Sequence, residues 1–288
     1  LGEARIDLEE PGGASQLASM LVDAGHAVRP LVLTDRRFLP ADADLLVWAG
    51  PKLEPAVEDL AVIDGFLRSG GAVAAFLGPD TPPAVRDWTE QYNVIQRDDV
   101  VVAPSRGGAL AGVGLRTVAV TDGYGDHPTV RSLRAVTTTF PLVQTLWPVR
   151  QEMPGVAGNI ILLTGDDTWS ESDPAFRYSG VPTFDPPADR QGPSPFGVAL
   201  TVAPADTTAA DMVAADTTAA DTAASDRRGR LVIVGSSGFV TNANIGLYGN
   251  RDLALNIAGW LVAEDDLLGI RGRRSSYQPL LLDDATKE

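Results

Sequence analysis

The segment from Asp44 to Pro79 constrains this chain more than any other, because it reads as one complete strand, helix, strand unit. Leu45 to Ala49 is an apolar run too short for a helix and closed by Gly50-Pro51, which suits a strand covered on both faces. A second such run, Ala72 to Leu77, ends at Gly78-Pro79. Between them Val57, Leu60, Ile63, Phe66 and Leu67 recur at helical spacing, Glu54, Glu58, Asp59, Asp64 and Arg68 fill the other face, and Gly70-Gly71 supplies a C-terminal cap. Two buried strands joined by a packed helix are parallel neighbours with a right-handed crossover, so the chain contains an α/β layer.

Other segments extend this layer. Ala4 to Leu8 and His26 to Leu33 read as strands, separated by a helix in which Leu17, Met20 and Leu21 share a face and Gly25 follows as cap. Pro82 to Asn93 reads as a helix with Val85 and Trp88 inward. Val100 to Ala103, Leu115 to Val120, Ala135 to Leu146 and Asn159 to Thr164 read as strands of a β-rich elaboration, with a short helical turn after the Asp122 to Pro128 loop. Residues 165–195 carry six prolines and read as a long irregular segment, either a binding loop or a surface excursion. Phe196 to Ala203 and Leu231 to Val234 are strands flanking a low-complexity insert, 204–228, in which ADTTAAD occurs twice; the insert reads as an expanded hairpin loop. Asn250 is placed to cap a helix from Arg251 to about Val262, with Leu253, Ile257, Trp260 and Leu261 inward.

Several functions are excluded by composition. A formal charge of −15 leaves no basic stripe for phosphates, so nucleic acid is not a partner. Zero cysteines rule out a thiol nucleophile and a cysteine-ligated zinc, and with only His26 and His127 a histidine-rich metal site is not expected. No apolar run reaches the roughly 18 residues a membrane span needs. The chain opens on Leu1 rather than Met, which fits an excised or processed piece.

Chemistry, if any, belongs at the carboxyl ends of parallel strands. Three turns follow strands directly: Gly50-Pro51-Lys52, Gly78-Pro79-Asp80 and Gly235-Ser236-Ser237. If their strands point the same way the turns converge on a small polar crevice, whose glycines let backbone amides approach a ligand; turns of this composition also serve simply to connect elements. The Gly235 turn is no nucleophile elbow, since Phe239 stands where a glycine is required, and it lacks the lysine of a phosphate loop. Asp166, Asp167, Glu171 and Asp173 crowd around Trp169, a group open to three readings: calcium ligands, a sugar-facing indole with carboxylate acceptors, or a solvated acidic loop. His127 has no motif to support a serine triad. Arg251 and Asp252 open the last helix, Asp252 complementing its dipole and Arg251 requiring a carboxylate or carbonyl.

At the C-terminal segment, Arg230 to Arg271, a specific resemblance emerges. Val234, Gly235, Ser237 and Phe239 in the turn, Asn242, Gly249, Asn250, Arg251 and Asp252 after it, and Trp260 and Leu261 at the helix end are similar to the closing motif of GldG-type auxiliary components of ABC transport systems. The Asp44 to Pro79 unit, Asp126-His127-Pro128-Thr129 and Thr168-Trp169-Ser170-Glu171 match further family motifs in the same order, so that the likeness spans about Gly13 to Arg271.

The resemblance implies an α/β, flavodoxin-like fold akin to class I amidotransferase domains, with a largely parallel sheet, flanking helices and a β-rich elaboration. It implies one extracytoplasmic domain over residues 1–270, on the periplasmic side of the inner membrane, and a tail, 271–288, like the stretch that precedes the family's last membrane helix. The function implied is non-catalytic and without a cofactor: contact with the membrane subunits of the transporter, or ligand sensing. A related domain in an intraflagellar-transport protein has been suggested to bind sugars, so carbohydrate is the alternative ligand, in a crevice formed by Gly50, Gly78, Asp80, Trp169, Glu171, Ser236 and Ser237. Asn242, Asn250, Arg251, Asp252 and Trp260 are expected to be structural, tying the last helix to the sheet.

Overall fold

Ala72–Phe76 is the strand around which two cores divide. Ala72, Ala74 and Phe76 join one buried cluster and Val73, Ala75 and Leu77 the other, as a pleated strand covered on both faces requires. The computed structural model describes residues 3–33, 39–104, 115–148, 153–177, 180–204 and 228–262. All of the 204–228 insert but its two end residues, and the tail 271–288, lie outside the described residues.

In chain order the helices are α1 Ser15–Asp23, α2 Val57–Arg68, α3 Pro83–Glu90, the single-turn α4 Pro128–Arg131 and α5 Asn250–Leu261. The strands are β1 Leu45–Ala49, β2 Ala72–Phe76, β3 Val94–Gln96, β4 Val100–Val102, β5 Thr117–Val120, β6 Thr138–Pro141, β7 Leu146–Pro148, β8 Val156–Leu163, β9 Trp169–Glu171, β10 Arg190–Gln191, β11 Pro195–Val202 and β12 Gly229–Val234. The main sheet has the order β1-β2-β12-β11-β8. Helices α1 and α5 cover one face through Leu17, Met20, Leu21, Leu253 and Ile257, while α2 and α3 cover the other through Ile63, Leu67, Val85 and Trp88. Smaller sheets, β10-β9-β4, β3-β7 and β5-β6, form the β-rich elaboration.

The unit expected from Asp44 to Pro79 is present: β1 and β2 are parallel in the register Leu45↔Ala72, and α2 joins them. Gly70, with φ +98°, ends α2 as only glycine does without strain. The Asp59 carboxylate accepts the Ala56 N–H at 3.4 Å to steady the first turn. Being an edge strand, β1 has half-buried Leu45, Leu46 and Val47, and only Trp48 and Ala49 are buried.

Four expectations are corrected. The sheet is mixed rather than largely parallel: β12 runs parallel to β2, but β11 is antiparallel to both β12 and β8, because β11 and β12 are the two arms of a hairpin. Ala4 to Leu8 and His26 to Leu33 are not strands. A single bond, Ala4 N–H to Ala49 O at 2.9 Å, begins a ladder beside β1 before the chain turns at Ile6-Asp7, and Pro30 offers no donor to continue one. The stretch Ala135 to Leu146 is divided, since Leu142 at φ +50° breaks it after β6. Trp169–Glu171, expected in an irregular segment, is the central strand of the β10-β9-β4 sheet.

Candidate functional site

Parallel register brings the strand ends together. Phe76 aligns with Ala49 on one side and with Val234 on the other, so Gly50, Gly78 and Gly235 leave the sheet at the same pole. Ser237 sits between the first two: a Cβ on Gly50 would lie 2.9 Å from Ser237 Oγ, and one on Gly78 would lie 3.5 Å from it. The room that the glycines leave is therefore filled by a side chain of this chain.

Their amides are also engaged. Gly50 N–H donates to Phe76 O at 2.7 Å, Gly78 N–H to Thr81 Oγ1 at 3.0 Å, and Gly235 N–H to Phe196 O at 2.7 Å. Ser236, fully buried, donates its hydroxyl to Pro141 O at 2.6 Å. Asp80 is exposed beside this pole. The three turns converge as anticipated, but the amides expected to face a ligand close the pole instead.

Behind these turns lies a buried polar layer with little sign in the sequence. Gln96 Nε2 donates to Gly78 O at 3.2 Å and to Gln144 Oε1, and Gln144 N–H donates to Gly235 O at 2.7 Å. Next to them Asp99, only 2% exposed, accepts from Thr145 N–H at 2.9 Å, Thr145 Oγ1 at 2.6 Å and Arg97 Nε at 3.3 Å. Burial pushes the Asp99 carboxyl above its usual range, against the bonds from Thr145 and the charge of Arg97. Arg86 adds Nη2 to Pro79 O and Nε to Thr81 O, both at 3.1 Å. The one available hint was polar residues interleaved with valines and leucines around β3, β4 and β7.

Trp169 and Glu171 belong to a different sheet from β1, β2 and β12. Glu171 is buried and not part of a solvated loop: Oε1 accepts the Asp173 N–H at 3.0 Å and Oε2 the Trp169 indole N–H at 3.5 Å. Asp173 in turn accepts from Ala175 N–H at 2.9 Å. Among the described residues no group of three or more His, Cys, Asp or Glu is arranged to hold a metal ion. His127 is buried as well; its Nδ1 lies 2.9 Å from Thr129 Oγ1 and accepts the Thr129 N–H at the start of α4, and its ring meets Trp260 edge-on at 4.7 Å.

The C-terminal motif residues divide between core and surface. Asn250 is fully buried and does not cap α5; its Oδ1 accepts Thr139 N–H at 2.8 Å, and Nδ2 donates to Thr139 O at 2.9 Å and Asn244 O at 3.0 Å. Asn242 performs capping at a distance: Oδ1 accepts Gln16 N–H of α1 at 2.9 Å while Nδ2 donates to Leu8 O and Glu10 O at 2.8 and 2.9 Å. Trp260 is buried under the Arg230 guanidinium, which also donates to Trp260 O. Asp252 is half-buried, its carboxyl raised by burial and lowered by Arg251, which is exposed.

No family model matches the chain, and no curated protein matches it. Among solved structures it is similar to the mmIFT52 N-terminal domain, with 15% identity and a TM-score of 0.57 over 86% of this chain and 90% of that chain. At that identity the likeness is one of fold, a mixed α/β domain.

Proposed function

We propose that this is a non-catalytic interaction domain of the GldG type, the extracytoplasmic part of an ABC transporter auxiliary protein, tethered to the membrane in the whole protein and contacting the transporter's membrane subunits. The observation that carries this reading is the closed pole of the sheet. In an open α/β sheet a small ligand enters at the strand carboxyl ends; here Ser237 fills that space and the three glycine amides bond within the protein. A domain closed at its ligand pole acts through its surface. The flavodoxin-like reading is part of the same proposal, supported by the parallel β1, β2 and β12 with helices on both faces.

Carbohydrate binding is the alternative, and its support lies at Trp169, half-exposed and edge-on to Phe184 at 6.1 Å, rather than at Gly78 and Ser236. One experiment separates the two: binding of the domain to the membrane subunits in nanodiscs, beside titration of Trp fluorescence with a panel of mono- and disaccharides. Nanodisc binding without a sugar response supports the first reading. A saturable sugar response without nanodisc binding overturns it.

A further inference from the structure

Resting on that interaction reading, we infer that residues 180–189 form a preorganised docking loop whose Val181 and Phe184 seat in an apolar cleft, rimmed by basic residues, on the partner protein. Val181 is 90% exposed and Phe184 40% exposed, and Pro186 and Pro187 between Phe184 and Asp189 are exposed too. Two large apolar side chains exposed three residues apart, the second resting edge-on against Trp169, offer a contact surface.

The C-terminal half of the loop, 185–189, is held in place by hydrogen bonds. Asp189, only 4% exposed, accepts Asp185 N–H at 2.8 Å through Oδ2, and Ser172 N–H and Oγ–H, both at 3.0 Å, through Oδ1. Asp189 N–H returns a bond to Asp185 O at 3.1 Å. Pro182, Pro186 and Pro187 each fix φ near the same value. A loop ordered before it binds loses less conformational freedom on binding.

Charge identifies the chemistry of the partner. Asp166, Asp173 and Asp185 are exposed in and beside this loop and outnumber its basic neighbours, exposed Arg190 and half-buried Arg116, whose Nη2 donates to Gly180 O at 3.5 Å, so the complementary rim is positive. A sugar is a poorer fit, because Glu171, the carboxylate that meets the Trp169 indole N–H, is buried and also bonded to Asp173 N–H.

The test places a photo-crosslinking residue at position 181, or at position 57 on α2 as an exposed control, in the whole protein co-expressed with its transporter's membrane subunits. The expected result is a crosslink to a membrane subunit from 181 and not from 57. Val181→Ser, at a site nearly free of internal contacts, and Phe184→Ala should each weaken nanodisc binding by about tenfold or more. Binding should also weaken as salt is raised. Retained binding with crosslinks from 57 alone overturns the docking loop and leaves the interaction domain standing. Crosslinks from 181 to a second copy of this chain also overturn it, and absence of any subunit binding removes both proposals.

Discussion

Replacing Asn250 with alanine tests whether the C-terminal motif acts on the fold. The side-chain amide meets both backbone groups of Thr139, itself 2% exposed, and also Asn244 O. Asn250→Ala leaves the Thr139 N–H and C=O buried without their partner, at about 1–3 kcal/mol each. With partial relaxation the expected loss is about 3–4 kcal/mol. For a domain of this size that lowers Tm by about 6–16 °C, at about 2–4 °C per kcal/mol. Asn250→Asp offers no rescue at neutral pH, since it keeps the acceptor for Thr139 N–H but sets a carboxylate against two carbonyls. Arg251→Ala, one residue along and exposed, is the control and should stay within about 0.5 kcal/mol of the parent. Urea unfolding and calorimetry read all three. Equal midpoints for Asn250→Ala and Arg251→Ala would falsify the assignment of Asn250 as the tie between α5 and β6.

Asn242→Ala removes the acceptor at the start of α1 and should cost about 1–2 kcal/mol, with faster amide hydrogen exchange in α1 than in α2; uniform exchange would argue that Asn242 does not cap α1. Gly50→Ala meets both a φ of +71° and the 2.9 Å approach to Ser237 Oγ, so a loss above about 1 kcal/mol is expected. Adding Ser237→Gly should restore part of it, and no recovery would mean that the hydroxyl is not the obstacle. Asp99 titrates above an ordinary aspartate, so its contribution is fully present below the unfolded value of 3.8 and is lost as pH rises through the higher folded value. Urea midpoints measured upward from about pH 4 should therefore shift in favour of Asp99→Asn; a constant difference between the two proteins would refute this.

The parts of the fold readable from sequence were those with local causes. β1, α2 and β2 follow from apolar runs punctuated by Gly50, Gly70 and Gly78, and the convergence of the three turns follows from strand direction. What escaped depends on remote partners. Asn250 stands where a cap belongs, yet its amide bonds to Thr139, 111 residues away. Trp169–Glu171 is a three-residue strand held between β4 and β10, too short for a local period to announce it. Ala4 to Leu8 alternates like a strand, but Arg5 and Asp7 pair with each other across the turn at 2.9 Å and the ladder stops after one bond. The closure of the pole was legible only in part, since Ser237 could be seen as a turn residue but not as the occupant of the space beside Gly50.

The two long-range features, the cap on α1 and the central position of β12, also govern how the domain is made. Gln16 waits for Asn242, 226 residues later, which at about 5–20 residues per second is about 11–45 s of synthesis. β12 is the middle strand of the main sheet and its last to emerge. Until it arrives, β2 and β11 each present an unpaired edge, the kind of edge that recruits other chains. Between the synthesis of β2 and that of β12 the nascent sheet is therefore open at its centre, and a chaperone that shields strand edges should raise the folding yield more than one that shields a finished surface.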